Sequence, residues 1–582
     1  MTRLCNRKIP ENTFCNLLLC DTRVDYVCAD KAIFFCCHDQ NVRNKQKNMK
    51  KTEALFTPVR TAGTPKNRFY DFGKHYFAIL EIEAESDTAQ DITLAVGDVE
   101  EKGHIHRNPG GSRIYQEEKV RLSPGTNRIA MRMSHPGYNQ GTLTLEPEAI
   151  PFRYAEVRDC TCPVKVFQHA FYGPFDDDAS DFVSSSENLN RIWEFCKHTM
   201  KATSVFNVFI DGNRERQAYE GDTYINQLSW FVCQMAPEIA VKTIDRLFAF
   251  PTWPTEWWLS MIPIIHDYLL YTGDFENVRR WYEPMKVKTL LDGVCSNGLL
   301  NVNELSPDFK CPGFGDGVKL RDLVDWPPPE QDGYELSASY NLVPNCWQYM
   351  AFCRASALAF LLDKSEDAVF FRNAAKRSRA AIRSTMLKNG LFVDNPQSEH
   401  TALHSCIFPA LWGVADETEK SAILTLMKSK GMACSVFGAQ FLLECCYENK
   451  LSDYGLSLIH SDGIRSWNNM LAKGATMTME AWDDTFKPNQ DWNHPWGAAP
   501  GNIIVRYLCG IRPLEPGFRK FLVDPQPGSL TYFKVKTPTP HGPIVLEMKS
   551  PGQYQLSAPP DTEAIFGNSS ICQFSLSECN FS

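Results

Sequence analysis

The chain has 582 residues, 43 % of them hydrophobic and 22 % charged, with a formal charge of -9. That length exceeds one ordinary core and predicts about two to four domains. No segment approaches the roughly 20 uninterrupted apolar residues of a membrane span, and an acidic chain without a long Lys/Arg run argues against nucleic acid as a partner.

Residues 1–48 carry six cysteines and clustered basic residues without periodicity. They lack the basic and apolar regions of a secretory signal. They read as an irregular extension, either disordered or translated upstream of a true start at Met49. The 21 cysteines form no disulfide framework. Cys196, Cys233, Cys353, Cys445, Cys446 and Cys509 fall in apolar helical stretches and read as small buried hydrophobes. Cys160 and Cys162 have no second pair at zinc-site spacing. Reduced thiols place the protein in the cytoplasm by default. A periplasmic or secreted location stays open if the N-terminus is not native.

Residues 49–165 read as a β-sandwich. The stretches 76–83, 91–96, 119–122 and 128–133 are strand-like, with turn signals at Pro109-Gly110-Gly111 and Pro124-Gly125 between them. Near residue 184 the period changes. Ser184 with Glu187 offers a capping box, and Leu189, Ile192, Trp193, Cys196 and Met200 follow at helical spacing. Further helical runs cover 223–235, 237–249, 259–271, 275–291, 342–362, 365–387, 418–428, 436–447 and 500–508, with no strands between. About a dozen helices over 166–512 imply an (α/α)6 toroid, although periodicity does not give its closure. Strand signals return at 521–523, 530–535 and 544–548, a smaller C-terminal β-sandwich over 513–582.

Two loops carry chemistry. Asp211-Gly212-Asn213-Arg214-Glu215-Arg216-Gln217-Ala218-Tyr219-Glu220-Gly221-Asp222 packs four carboxylates and two arginines before a helix. Thr476-Met477-Thr478-Met479-Glu480-Ala481-Trp482-Asp483-Asp484 runs on to Asp491-Trp492-Asn493-His494-Pro495-Trp496-Gly497. Glycoside hydrolysis needs two carboxyls, one to protonate the leaving oxygen and one to activate water or attack carbon. Arginines beside carboxylates, like charges and burial let an acid and an anion coexist. The alternatives are a salt-bridged capping loop for the first and a surface loop anchored by tryptophans for the second.

Together these loops resemble those of bacterial α-L-rhamnosidases, family 78 of the glycoside hydrolases. Gly510-Ile511-Arg512-Pro513 and the following Pro516-Gly517-Phe518 are similar to the link into that family's C-terminal β-domain. The resemblance implies a six-hairpin catalytic domain between β-sandwiches and hydrolysis of terminal α-L-rhamnosyl residues with inversion. It implies Glu215 as general acid and Glu480 as general base. Asp211, Arg214, Asp222 and His494 would hold the sugar, with Tyr219, Trp258, Trp326 and Trp482 as aromatic walls. No metal or cofactor is implied, and the partner is a rhamnosylated glycan or glycoside. Two features depart from the pattern. The Asp211–Arg214 segment is one residue short of the commoner form, and Met479 and Ala481 replace a Trp and an Arg often found beside the base. Another sugar on the same toroid, or carbohydrate binding without catalysis, are the rival readings. No phosphate cradle supports phosphorolysis.

Overall fold

The computed structural model describes residues 51–135, 137, 142–305, 319–567 and 573–576. The extension expected at residues 1–48 lies outside them. The N-terminal sheet has eight strands around Arg68–Ser86, a 19-residue strand. Val164–Tyr172 and Ile150–Arg158 flank it, both antiparallel, and Gly125–Ala130 pairs with its last part. Phe77 and Ile79 face one apolar cluster while Tyr76, Ala78 and Leu80 face another. Both faces are covered here, so the segment is apolar at every position before alternation begins.

The helices close into a ring. Glu220–Cys233 packs on Thr255–Thr272, which packs on Leu342–Leu361. Leu403–Trp412, Val436–Glu448 and Ala499–Ile503 continue the circuit, and the last returns to Glu220–Cys233. Every residue of Glu220–Cys233 is buried, as expected of an inner helix that is apolar or internally bonded all round. Ser365–Met386 and Glu417–Lys430 lie outside that ring, with their polar sides in solvent.

The structure corrects three expectations. Ser184 ends a strand, Asp181–Ser184, that pairs with Phe533–Thr537 of the C-terminal sheet. The helix Glu187–Thr203 is capped instead by Ser186, whose hydroxyl accepts from the Leu189 amide. A small hairpin, Leu387–Lys388 with Leu391–Phe392, interrupts the helices. Cys353 is exposed rather than buried. The C-terminal part adds a five-stranded sheet and a three-stranded one built on Ile511–Pro513, Lys520–Val523 and Glu563–Phe566.

No helix among the described residues is long and apolar enough to cross a membrane.

Candidate active site

The acidic loop at 211–222 is folded by its own backbone. The Asp211 amide donates to the Gln217 carbonyl, and the Gln217 amide returns to Asp211 Oδ1, both at 2.8 Å. Its two arginines part company. Arg216 is fully buried; it donates to Glu148 Oε1 at 2.8 Å and the Ala149 carbonyl at 3.0 Å, anchoring the loop to the preceding segment. Arg214 turns toward the late loop. Its carboxylates separate in the same way. Glu220 accepts from Thr252 and Lys288 away from the cavity, whereas Asp211, Glu215 and Asp222 line it.

The late loop is tied to the first across the ring. The Arg214 amide donates to Asp491 Oδ2 at 3.1 Å, and the Asn213 amide to Asn493 Oδ1 at 2.6 Å. Gly212 permits this approach, because a Cβ there would meet Asp491 Oδ2 at 2.5 Å. Glu480 is 3 % exposed and held at three points. Its amide donates to the Asp491 carbonyl at 2.9 Å, the Asp491 amide donates to its Oε2 at 3.0 Å, and the Trp496 indole donates to its carbonyl at 3.0 Å.

The loops meet at a cavity of about 330 Å³ lined by Asp211, Glu215, Asp222, Glu480 and His494 with Trp253, Trp257, Trp326 and Trp496. One guanidinium joins the two candidate catalytic carboxyls. Arg214 Nη1 bonds Glu215 Oε1, and its Nη2 lies 3.1 Å from Glu480 Oε1. The Tyr219 hydroxyl donates to Glu215 Oε2, and Lys487 Nζ stands 3.4 Å from Glu480 Oε1.

Negative charge is in excess here. Burial first, then the charges of Glu215, Asp222 and Asp491, raises the Asp211 carboxyl well above its usual range. Burial also raises Asp222, with Glu215 and Glu220 adding to it. Burial and Glu480 push Asp491 up to about 7, against the opposing pull of Arg214. Desolvation drives His494 down to about 3, so its imidazole is neutral. Paired carboxyls with different neighbours in a closed aromatic cavity suit general acid–base chemistry. Among the described residues, Asp211, Asp491 and His494 also offer donor atoms within 4.8 Å of one another, the set closest to a metal-binding arrangement. A larger cavity of about 550 Å³ lies on the N-terminal sheet, where Arg158 contacts both Glu117 and Glu156, but no tryptophan lines it.

Of the residues singled out in the sequence, the structure brings Asp211, Arg214, Glu215, Tyr219, Asp222, Trp326, Glu480 and His494 to this cavity. Trp258 and Trp482 lie outside its lining. Trp258 packs under the Lys288 ammonium, 3.8 Å from the ring centroid, and donates to the Thr252 carbonyl. Its neighbour Trp257 faces the cavity in its place, since adjacent helical residues point about 100° apart. Trp482 donates to the Cys434 carbonyl at 2.8 Å and is fully buried against Trp467. Trp253, Trp257, Leu323, Lys487, Asn489 and Trp496 complete the lining without being among the site residues expected from the sequence. Their presence in Trp-rich and acidic loops was visible, but not their direction.

The model of the bacterial alpha-L-rhamnosidase 6 hairpin glycosidase domain matches residues 177–508, and that of the bacterial alpha-L-rhamnosidase C-terminal domain matches residues 510–566. An alpha-L-rhamnosidase of Alteromonas sp. (strain LOR) is 21 % identical over 512 residues, covering 82 % of this chain and 52 % of that one. One from Streptomyces avermitilis is 24 % identical over 234 residues, or 37 % of this chain and 22 % of its own. Among solved structures, the family 78 rhamnosidase of Bacillus sp. GL1 superposes with a TM-score of 0.71 at 20 % identity, over 88 % of this chain and 54 % of that one. The Streptomyces avermitilis alpha-L-rhamnosidase complexed with L-rhamnose gives 0.70 at 16 %, over 89 % and 50 %. At such identities the superpositions show the shared fold. The chain spans about half the length of the Alteromonas relative and of these two structures.

Proposed function

The chain belongs to the bacterial alpha-L-rhamnosidase six-hairpin glycosidase family, and from that premise we propose that it hydrolyses terminal α-L-rhamnosyl residues with inversion. The observation that carries this reading is the Arg214 guanidinium shared by Glu215 and Glu480 inside one aromatic-walled cavity.

The terminal sugar enters that cavity with its apolar faces on the tryptophans and its hydroxyls on Asp211, Asp222 and His494. Glu215 gives its proton to the glycosidic oxygen as the bond to the anomeric carbon breaks. Tyr219, whose own hydroxyl is kept protonated by burial and the surrounding carboxyls, donates to the other oxygen of Glu215 and orients the acid. Glu480, flanked by Arg214 and Lys487, takes a proton from a water that attacks the opposite face. Proton transfer at both ends of the bond supplies about 10²–10⁴-fold each.

The test is turnover of p-nitrophenyl α-L-rhamnoside by the protein and by Glu215→Gln and Glu480→Gln, with product anomers followed by NMR. Initial release of the β anomer, abolished in both variants, supports the assignment. Initial release of the α anomer overturns inversion, and full activity of either variant overturns its role. No turnover of this or any other rhamnoside overturns the substrate class.

A further inference from the structure

The base loop is held from outside the helical ring. Arg113, in the turn after Gly110-Gly111 of the N-terminal sheet, has a side chain 8 % exposed. Its Nη1 lies 2.8 Å from both oxygens of Asp484, its Nε donates to the Pro109 carbonyl at 2.8 Å, and its guanidinium covers the Trp492 ring at 5.0 Å. Ser112 Oγ donates to the Asn489 carbonyl at 2.7 Å. Gly111 makes the approach possible, since a Cβ there would meet the Pro488 carbonyl at 2.7 Å.

From Asp484 the link runs to the base. Gln490 Nε2 donates to Asp484 Oδ1 at 2.9 Å, and Gln490 Oε1 accepts the Ala481 amide at 3.0 Å, one residue from Glu480. Gln490 is fully buried, so neither bond is readily exchanged for water. On the same loop, Lys487 Nζ donates to Asn489 Oδ1 at 3.0 Å while standing 3.4 Å from Glu480. Asn489 is the residue whose carbonyl Ser112 holds. Both Lys487 and Asn489 line the sugar cavity.

We propose that Arg113 is a positioning residue for the general base: with Ser112 it fixes the 484–490 segment, and so sets the orientation of Glu480 and the distance of the Lys487 ammonium from it. This rests on the assignment of Glu480 as base. The N-terminal sheet is then part of the active site rather than an appendage. A base must be fixed closely to act on one water. The charged groups facing Glu480 are Arg214, Lys487, Asp491 and Glu215, with neutral His494; those facing Arg113 are Asp484 and Asp98. Loosening the 484–490 segment leaves Glu480 misaligned with its water, so kcat falls while substrate binding is kept.

The experiment compares Arg113→Met, Arg113→Lys and Asp484→Ala with the parent protein, with Glu480→Gln as reference. The expected result for Arg113→Met and Asp484→Ala is a kcat lowered about 10- to 100-fold on the p-nitrophenyl substrate, KM little changed. Amide hydrogen exchange over residues 476–494 should quicken. Arg113→Lys should recover part of each effect, because it keeps the charge facing Asp484 and loses the Nε bond to the Pro109 carbonyl. Unchanged exchange in 476–494 for folded Arg113→Met or Asp484→Ala overturns the inference, as does a lowered melting temperature with kcat intact. Full turnover by Glu480→Gln instead removes the base assignment, while the exchange measurement still decides whether Arg113 holds the loop.

Discussion

The imidazole Nε2 of His494 lies 2.9 Å from Asp222 Oδ1, both groups almost wholly buried. With His494 neutral, Nε2–H is the donor to Asp222 and Nδ1 is left as an acceptor, buried and without a protein partner. A buried acceptor of this kind is costly until a ligand hydroxyl reaches it. Asp222→Asn keeps an acceptor for the Nε2–H and puts an amide NH2 where a carboxyl oxygen faces the proposed sugar site. The expected outcome is a kcat/KM lower by about 10- to 100-fold, the equivalent of about 1.5–3 kcal/mol, measured on p-nitrophenyl α-L-rhamnoside.

Asp491 gives a pH dependence to stability. Its folded pKa of about 7 stands above the ordinary 3.8. The folded state therefore holds a proton that the unfolded chain has released, and its stabilising effect is complete below pH 4. That contribution is lost as the pH climbs from about 4 through 7. In Asp491→Asn the melting temperature should fall less between pH 5 and pH 8 than in the parent, a difference of about 2 °C by scanning calorimetry.

The adjacent tryptophans should separate binding from stability. Trp257→Ala removes a wall of the sugar cavity and should raise KM about tenfold. Trp258→Ala opens a void under Lys288 and should cost about 3–5 kcal/mol of stability, with KM of the folded protein unchanged. Kinetics and thermal melts on the two variants read this directly.

Gly212→Ala forces Asp491 away from the Arg214 amide. Since Asp491 also binds both backbone and side chain of Glu480, kcat should drop at least tenfold while circular dichroism stays that of the parent.

Much of this was legible beforehand because local pattern carries it. The runs at 342–362 and 365–387 match the helices Leu342–Leu361 and Ser365–Met386 nearly end to end, as the change of period demands. The helix Leu403–Trp412 has no such signal: it is buried on nearly all sides and carries Pro409 in its interior, so it shows no stripe. Ser452–Ile459 and Trp467–Ala472 are too short to show one. The pairing of Asp181–Ser184 with Phe533–Thr537 is long-range and has no local signal. In the site, residue types and loop membership were readable, so both catalytic candidates reached the cavity. Side-chain direction in irregular backbone is not readable, so the sequence points to Trp482 where Trp496 lines the cavity, and nothing in it marks Lys487 or Asn489.

Because Ala499–Ile503 packs back on Glu220–Cys233, the two loops that carry Glu215 and Glu480 lie on either side of the ring's seam; Arg214 and Glu480 are 266 positions apart in the chain. A nascent chain leaving the ribosome can stack five of the six inner helices and still possess no active site. On the proposed assignment, the acid and the base meet only once the last inner helix has emerged and docked, and slight parting at that seam would separate them while the rest of the ring remained standing.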